Sequence, residues 1–216
     1  AGPMFKLNPS VSLLVTCTTK DQVDEYWKKL SQGGKALMEL GAYPFSERYV
    51  WVEDKYGLSW QLMYTNEANA RQMIRPVVMF VGDVAGKAEE AINSWTSVFP
   101  DSKINDLMRY EKGEEPDKAG TIKFGSFKLF GQEFAAMDSA HEHKFGFSEG
   151  ISFIINCDTQ EEIDYYWKKL SAVPEAEICG WMKDKFGFSW QVSPTRMLDQ
   201  LLSGTDREKI DRLTQT

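Results

Sequence analysis

Histidine and cysteine, the side chains most used for metal and nucleophilic chemistry, number two and three in this 216-residue sequence, and one motif that could line a site occurs twice. Asp54-Lys-Tyr-Gly-Leu-Ser-Trp-Gln61 returns as Asp184-Lys-Phe-Gly-Phe-Ser-Trp-Gln191, each copy ending on a glutamine. A carboxamide donates and accepts hydrogen bonds but binds a divalent cation much less strongly than a carboxylate does. The only histidines, His141 and His143, have a spacing that two residues on one strand face could use for a metal. No third ligand is identifiable, and the polar stretch from Ser139 to Lys144 reads as a solvated loop. The cysteines Cys17, Cys157 and Cys179 form no Cys-x-x-Cys pair and read as reduced packing residues. Nothing supports Ser-His-Asp or Cys-His catalysis: there is no Gly-x-Ser-x-Gly elbow, and neither histidine is near a candidate nucleophile in sequence. A Gly-rich strand-to-helix turn with an acidic residue beyond it, as S-adenosylmethionine enzymes of the common type need, is also missing, so methyl transfer is not expected.

The repeat extends upstream and defines the elements that carry these residues. Val11-Ser-Leu-Leu-Val-Thr-Cys17 matches Ile151-Ser-Phe-Ile-Ile-Asn-Cys157, and Asp24-Glu-Tyr-Trp-Lys-Lys-Leu-Ser31 matches Asp164-Tyr-Tyr-Trp-Lys-Lys-Leu-Ser171. The offset is 140 here and 130 at the closing motif, so the first copy carries ten extra residues, read as a loop insertion. Each copy opens with a strand whose alternation places Ser12, Leu14 and Thr16, or Ser152, Ile154 and Asn156, on one face. A helix follows, capped by Thr19-x-x-Gln22 or Thr159-x-x-Glu162. Its stripe, Val23, Tyr26, Trp27 and Leu30 or Ile163, Tyr166, Trp167 and Leu170, should cover the apolar sheet face. In the closing strands Trp60 and Trp190 belong with the helix. Ser12 with Gln61, and Ser152 with Gln191, then point away from it, into the space a curved sheet encloses.

A stretch of different sequence but the same outline lies between the copies. Pro76 to Val81 reads as a strand, and Ala88, Ala91, Ile92, Trp95 and Phe99 line one helix face. Strands over Lys103 to Tyr110, Thr121 to Phe130 and Gln132 to Asp138 follow. The chain thus holds three modules, at residues 5–64, 76–138 and 145–194, and a tail, 195–216, that reads as helix. A net charge of −7 with pI near 5.0 repels phosphate backbones, so nucleic acid is not an expected partner. No apolar run approaches the ~20 residues of a membrane span. The first ten residues lack a secretory signal, and a cytoplasmic protein is expected.

Strand-helix-strand-strand-strand modules that pair around a cup resemble the vicinal oxygen chelate superfamily, which includes glyoxalase I, extradiol dioxygenases and bleomycin-binding proteins. Pro100-Asp-Ser-Lys-Ile104, Gly131-Gln-Glu-Phe134, the run from Thr159 to Leu170 and the run from Cys179 to Gln191 resemble its PhnB-like branch, also labelled 3-demethylubiquinone-9 3-methyltransferase. The resemblance implies an α+β fold of paired βαβββ modules forming a curved mixed sheet. Metal-using relatives place His or Glu at cup-facing strand positions, which here are Ser12 or Ser152 and Gln61 or Gln191; the module beginning at Val77 offers only apolar candidates. The metal site therefore reads as dismantled, and no metal or cofactor is expected.

Two modules make one domain in this superfamily. Residues 76–194 are expected to form one complete domain and residues 5–64 half of another. The chain then reads as a fragment of a longer protein, or as a homodimer whose two first modules complete a shared domain. The expected activity is binding of a small, partly polar molecule by Ser12, Gln61, Arg48, Ser152, Asn156 and Gln191. Arg48 belongs to the inserted loop 41–48, which could close as a lid with an anion-binding guanidinium, or the arginine could pair with Glu47 or a neighbouring carboxylate. The alternative function is that of a metal-dependent glyoxalase- or dioxygenase-type enzyme.

Overall fold

The structure of the chain, a computed structural model, describes residues 4–66 and 73–194. The expected helical tail, 195–216, lies outside the described residues. The first module contains β1 (Val11–Cys17), α1 (Lys20–Leu30), β2 (Lys35–Tyr43), β3 (Ser46–Glu53) and β4 (Ser59–Tyr64). The second contains β5 (Ile74–Phe80), α2 (Ala88–Val98), β6 (Lys103–Arg109), β7 (Ile122–Leu129) and β8 (Gln132–Asp138). The third contains β9 (Phe153–Asn156), α3 (Gln160–Leu170), β10 (Trp181–Lys183) and β11 (Ser189–Ser193). No helix among the described residues is long and apolar enough to cross a membrane.

The helix starts form as the sequence dictates. Thr19 Oγ1 accepts the Gln22 N–H and Thr159 Oγ1 accepts the Glu162 N–H, both at 3.2 Å. The returning side chains reach one residue further back than a capping box would, since Gln22 Oε1 accepts the Thr18 N–H and Glu162 Oε2 the Asp158 N–H. The α1 stripe does cover the sheet: Val23 is buried with Val15, Cys17, Val50 and Leu62, and Tyr26, Trp27, Leu30 and Trp60 pack around that cluster. In the second module Trp95 sits 6.0 Å from the Phe80 ring and 6.1 Å from the Phe127 ring. A side chain at position 125 would put its Cβ 2.9 Å from Ile92 and 3.0 Å from Leu107, so glycine there lets α2 lie close on β7.

The chain divides into two compact units, Ala1–Gly150 and Ile151–Thr216. In the first, the strand order is β2-β3-β4-β1-β5-β8-β7-β6. Each first strand runs parallel to the last strand of its own module, and β1 pairs antiparallel with β5 at the centre. This grouping differs from the expected one, in which residues 76–194 formed the complete domain. Here residues 11–64 and 74–138 share the sheet, and the third module forms its own three-stranded sheet, β10-β11-β9. The reason is that β1 and β9 carry the same alternation, so the sequence does not say which of them β5 adopts. β1 lies between β4 on one side and β5 on the other.

Two expectations about the copies are also corrected. The ten extra residues are not a loop insertion: they lengthen the β2–β3 hairpin, in which Gly41 pairs with Tyr49 and Tyr43 with Ser46. The third module has two strands after its helix, not three. A short 3-10 turn, Pro174–Ala176, lies in the stretch between α3 and β10 instead.

Candidate functional site

The duplicated closing motif is first of all a turn. Asp54 Oδ1 accepts the N–H groups of Tyr56 and Leu58, and Oδ2 accepts the Trp60 indole at 3.0 Å. Asp184 does the same for Phe186, Phe188 and Trp190. One carboxylate thus fixes the bend, in which Gly57 or Gly187 takes the positive φ that glycine alone adopts without strain, and anchors the tryptophan against the helix side. Two residues of strand beyond that bend, the alternation turns Ser59 and Gln61, or Ser189 and Gln191, to the opposite face.

On that face the sequence-predicted pairs do meet. Gln61 Nε2 donates to Ser12 Oγ at 2.7 Å and Gln191 Nε2 to Ser152 Oγ at 2.6 Å. In the first unit the chain continues, because Tyr49 Oη donates to Gln61 Oε1 at 2.7 Å. Ser12 and Gln61 are 2% and 4% exposed. Burial, and secondarily the nearby Tyr43, pushes the Tyr49 phenol well above its ordinary pKa, so it remains a donor. Trp51 donates to Ser59 Oγ at 2.6 Å beside this chain. Sequence reasoning missed Tyr49, although its spacing of two from Trp51 puts both on one strand face.

The floor around Ser12 is apolar. Strand register sets Ser12 opposite Val77, and Val77 opposite Ala135. Leu14, Val77 and Ala135 form a buried cluster with Met63, Phe124 and Met137 against it. At the end of the same face, beyond Met63, a pocket of about 280 Å³ is lined by Tyr43, Phe45, Ser46, Glu47, Met63, Tyr64 and Thr65 among others. Its aromatic wall is ordered: Tyr43 stacks on Phe45 at 5.6 Å, and Tyr49 meets both edge-on at 5.5 and 4.9 Å.

The remaining predicted residues fall elsewhere. Arg48 does not face this pocket as a lid cation, since its Nε is 2.7 Å from Asp24 Oδ1, the second of the two roles foreseen for it. Asn156 is exposed, and Ser152 and Gln191 are half-buried in the second unit. The two histidines are not simply a solvated loop. His143 Nε2 lies 2.8 Å from Ser139 Oγ, and burial, with His141 adding to it, lowers the His143 pKa below its ordinary value. The sequence held that signal, because Ser139 precedes His143 by four residues. Asp117 does not orient the dyad: its Oδ1 accepts the Ala140 N–H and its Oδ2 faces His141 at 3.6 Å. Asp138 was also missed. Its carboxylate accepts the N–H groups of Gly86, Ala88 and Ile122 and ties the start of α2 to the end of β8, a structural task.

The sequence pattern of the family described as 3-demethylubiquinone-9 3-methyltransferase matches residues 1–63 and 72–193. The PhnB protein of Bacillus cereus, which carries the same description, is 38% identical over 54% of this chain and 95% of its own, with a TM-score of 0.46. Glyoxalase I from Zea mays is 13% identical over 91% of this chain and 71% of its own, with a TM-score of 0.54, a likeness of fold. No curated protein matches the chain. With its paired βαβββ modules, duplicated Asp-turn motif and family-wide match, the chain belongs to the PhnB-like 3-demethylubiquinone-9 3-methyltransferase family and has the glyoxalase-like fold.

Proposed function

We propose that the protein binds a small, partly polar molecule on the cup face of its first unit, and does so without a catalytic metal. The observation that carries this reading is the Tyr49–Gln61–Ser12 chain. The carboxamide oxygen of Gln61 already accepts a phenolic proton and its nitrogen already donates to serine. One of the two lone pairs of that oxygen is thus already taken, and what remains to a cation is a single weak, neutral ligand in a buried place. The neighbouring positions, Val77 and Ala135, offer no donor side chain at all. This donor set does not fit a divalent cation. Among the described residues no group of three His, Cys, Asp or Glu side chains could hold one either.

The chain of hydrogen bonds instead fixes the Tyr49 ring, and through it the aromatic wall of the pocket at the end of the cup. A ligand there would rest an apolar or aromatic body on Tyr43, Phe45 and Met63 and direct polar atoms to Ser46, Thr65 and Asn66. About 280 Å³ suits a single ring with substituents. NMR of the isotope-labelled full chain with a panel of small aromatic alcohols, acids and amides tests this. Saturable shifts should centre on Tyr43, Phe45, Met63 and Thr65; shifts at none of these, for any member of the panel, would refute it.

A further inference from the structure

The arginines of the first unit are not treated alike. Arg48 is paired with Asp24, and Arg109 binds both oxygens of Glu89 at 2.6 and 2.7 Å. Arg75 makes no ion pair among the described residues. Among the described residues its Nε, shut off from solvent, has no hydrogen-bond partner, and its Nη2 reaches only Thr16 Oγ1, at 3.4 Å. Hydrogen-bonding groups left unpaired inside a protein cost about 1–3 kcal/mol each, more when they are charged, and native structures retain them where something else gains by it.

Arg75 stands at a place where a ligand could be that gain. It pairs with Leu14 across β1 and β5, and Leu14 is on the cup face. Thr16, which it touches, is the register partner of Met63, a wall of the aromatic pocket. The carboxylates closest in register or lining are engaged: Glu47 with Lys20 at 2.5 Å and Glu133 with Lys128 at 3.1 Å. A guanidinium offers five donors in a planar fork that matches a carboxylate or phosphate, and with Nε closed to solvent the two terminal nitrogens are the ones an oxyanion would take.

We propose that Arg75 is the anion-binding residue of the cup, so that the ligand is an organic oxyanion with an apolar or aromatic body. This rests on the cup being the binding site and adds the chemical class of what binds there. The probes are benzoate, phenyl phosphate and the neutral benzyl alcohol, titrated into the full chain and read by amide shifts and melting temperature. At least one anion should bind more tightly than benzyl alcohol, and the stronger of the two tells a carboxylate ligand from a phosphate one. Arg75→Met should weaken that anion about tenfold or more while leaving benzyl alcohol unchanged. Without ligand, Arg75→Met should melt at or above the parent temperature, because it removes an unsatisfied buried donor. Equal binding of anions and benzyl alcohol, with Arg75→Met altering neither, would overturn the anion assignment and leave the cup reading standing. Failure of all three probes to shift the pocket amides would remove both. A lower melting temperature for ligand-free Arg75→Met and Arg75→Lys alike would make the arginine structural and overturn the proposal.

Discussion

The Ser12–Gln61 pair of the first unit and the Ser152–Gln191 pair of the second are the same hydrogen bond in two surroundings. Both close on an Asp turn with the same three donors, and the two serine–glutamine distances differ by only 0.1 Å, 2.7 against 2.6 Å. Around the first pair Tyr49 caps the carboxamide and Trp51 caps Ser59. Around the second, Cys179 stands where Tyr49 would be by the motif offset, and the buried Ser189 hydroxyl has no partner among the described residues although Trp181 occupies the place of Trp51. Leu14 is 1% exposed, whereas its counterpart Ile154 is 58% exposed. The motif is therefore a folding device that both copies need. Under the proposed function, what sets the first copy apart is the hairpin that supplies Tyr43, Phe45 and Tyr49, together with the second module that supplies Val77, Ala135 and Arg75.

Substitutions that attack the shared part should hurt both units, and most where burial is deepest. Asp184→Ala leaves three donors unpaired in a place that is 3% exposed and should cost about 3 kcal/mol, read as lost hydrogen-exchange protection over residues 181–193. Asp54→Ala, at a half-buried position, should cost less, about 2 kcal/mol over residues 51–62. Equal losses would mean burial is not what separates the copies.

Substitutions in the unshared part should be felt in one unit only. Tyr49→Phe strands the Gln61 carbonyl and should cost about 1–2 kcal/mol in urea unfolding of the first unit. Ser59→Ala should cost about 1 kcal/mol because the Trp51 indole loses its acceptor. Ser189→Ala, which removes an unpaired hydroxyl, should change the second unit by less than about 0.5 kcal/mol or stabilise it. A large loss at Ser189 would show that the two faces are more alike than their hydrogen bonds indicate.

The smallest expected effect is on the thiols. Burial pushes both Cys17 and Cys157 up to about 11 from the ordinary 9.0, with Glu162 and Asp158 adding to the latter. A folded-state pKa above the unfolded one contributes stability that is present below pH 9 and lost as pH rises toward 11. In Cys179→Ser, which removes the exposed thiol, each remaining cysteine therefore reports on the opening of its own unit. Cys157, in the three-stranded sheet, should react with a thiol reagent faster than Cys17, in the eight-stranded one.

How much of this was legible from the residues depended on whether the governing interaction is local. Caps at Thr19 and Thr159, the α1 stripe, and the shared face of Ser12 and Gln61 follow from spacing alone, and all are present. The partner of β1 was not legible, because edge pairing is decided by long-range packing and β5 fits either copy of the repeat. The extra residues of the first copy carry turn-forming Pro44 and an alternating run, yet count alone made them a loop. Arg48 and Arg75 look equivalent in sequence; only the position of Asp24 on α1 shows which of them is already neutralised. Nor does spacing reveal that Tyr49 holds the Gln61 carbonyl, since their contact crosses from β3 to β4.

The central claim is that Gln61 is a hydrogen-bonded support for a ligand pocket and does not bind metal, and metal content tests it most directly. The full chain, purified without chelator, would be equilibrated with nickel, zinc, manganese or ferrous iron, desalted, and assayed by elemental mass spectrometry. The Tyr49–Gln61–Ser12 chain predicts that only a small fraction of an equivalent remains for every metal, and that Gln61→Ala changes nothing. One equivalent retained per chain, and lost in both Gln61→Ala and Ser12→Ala, would contradict it.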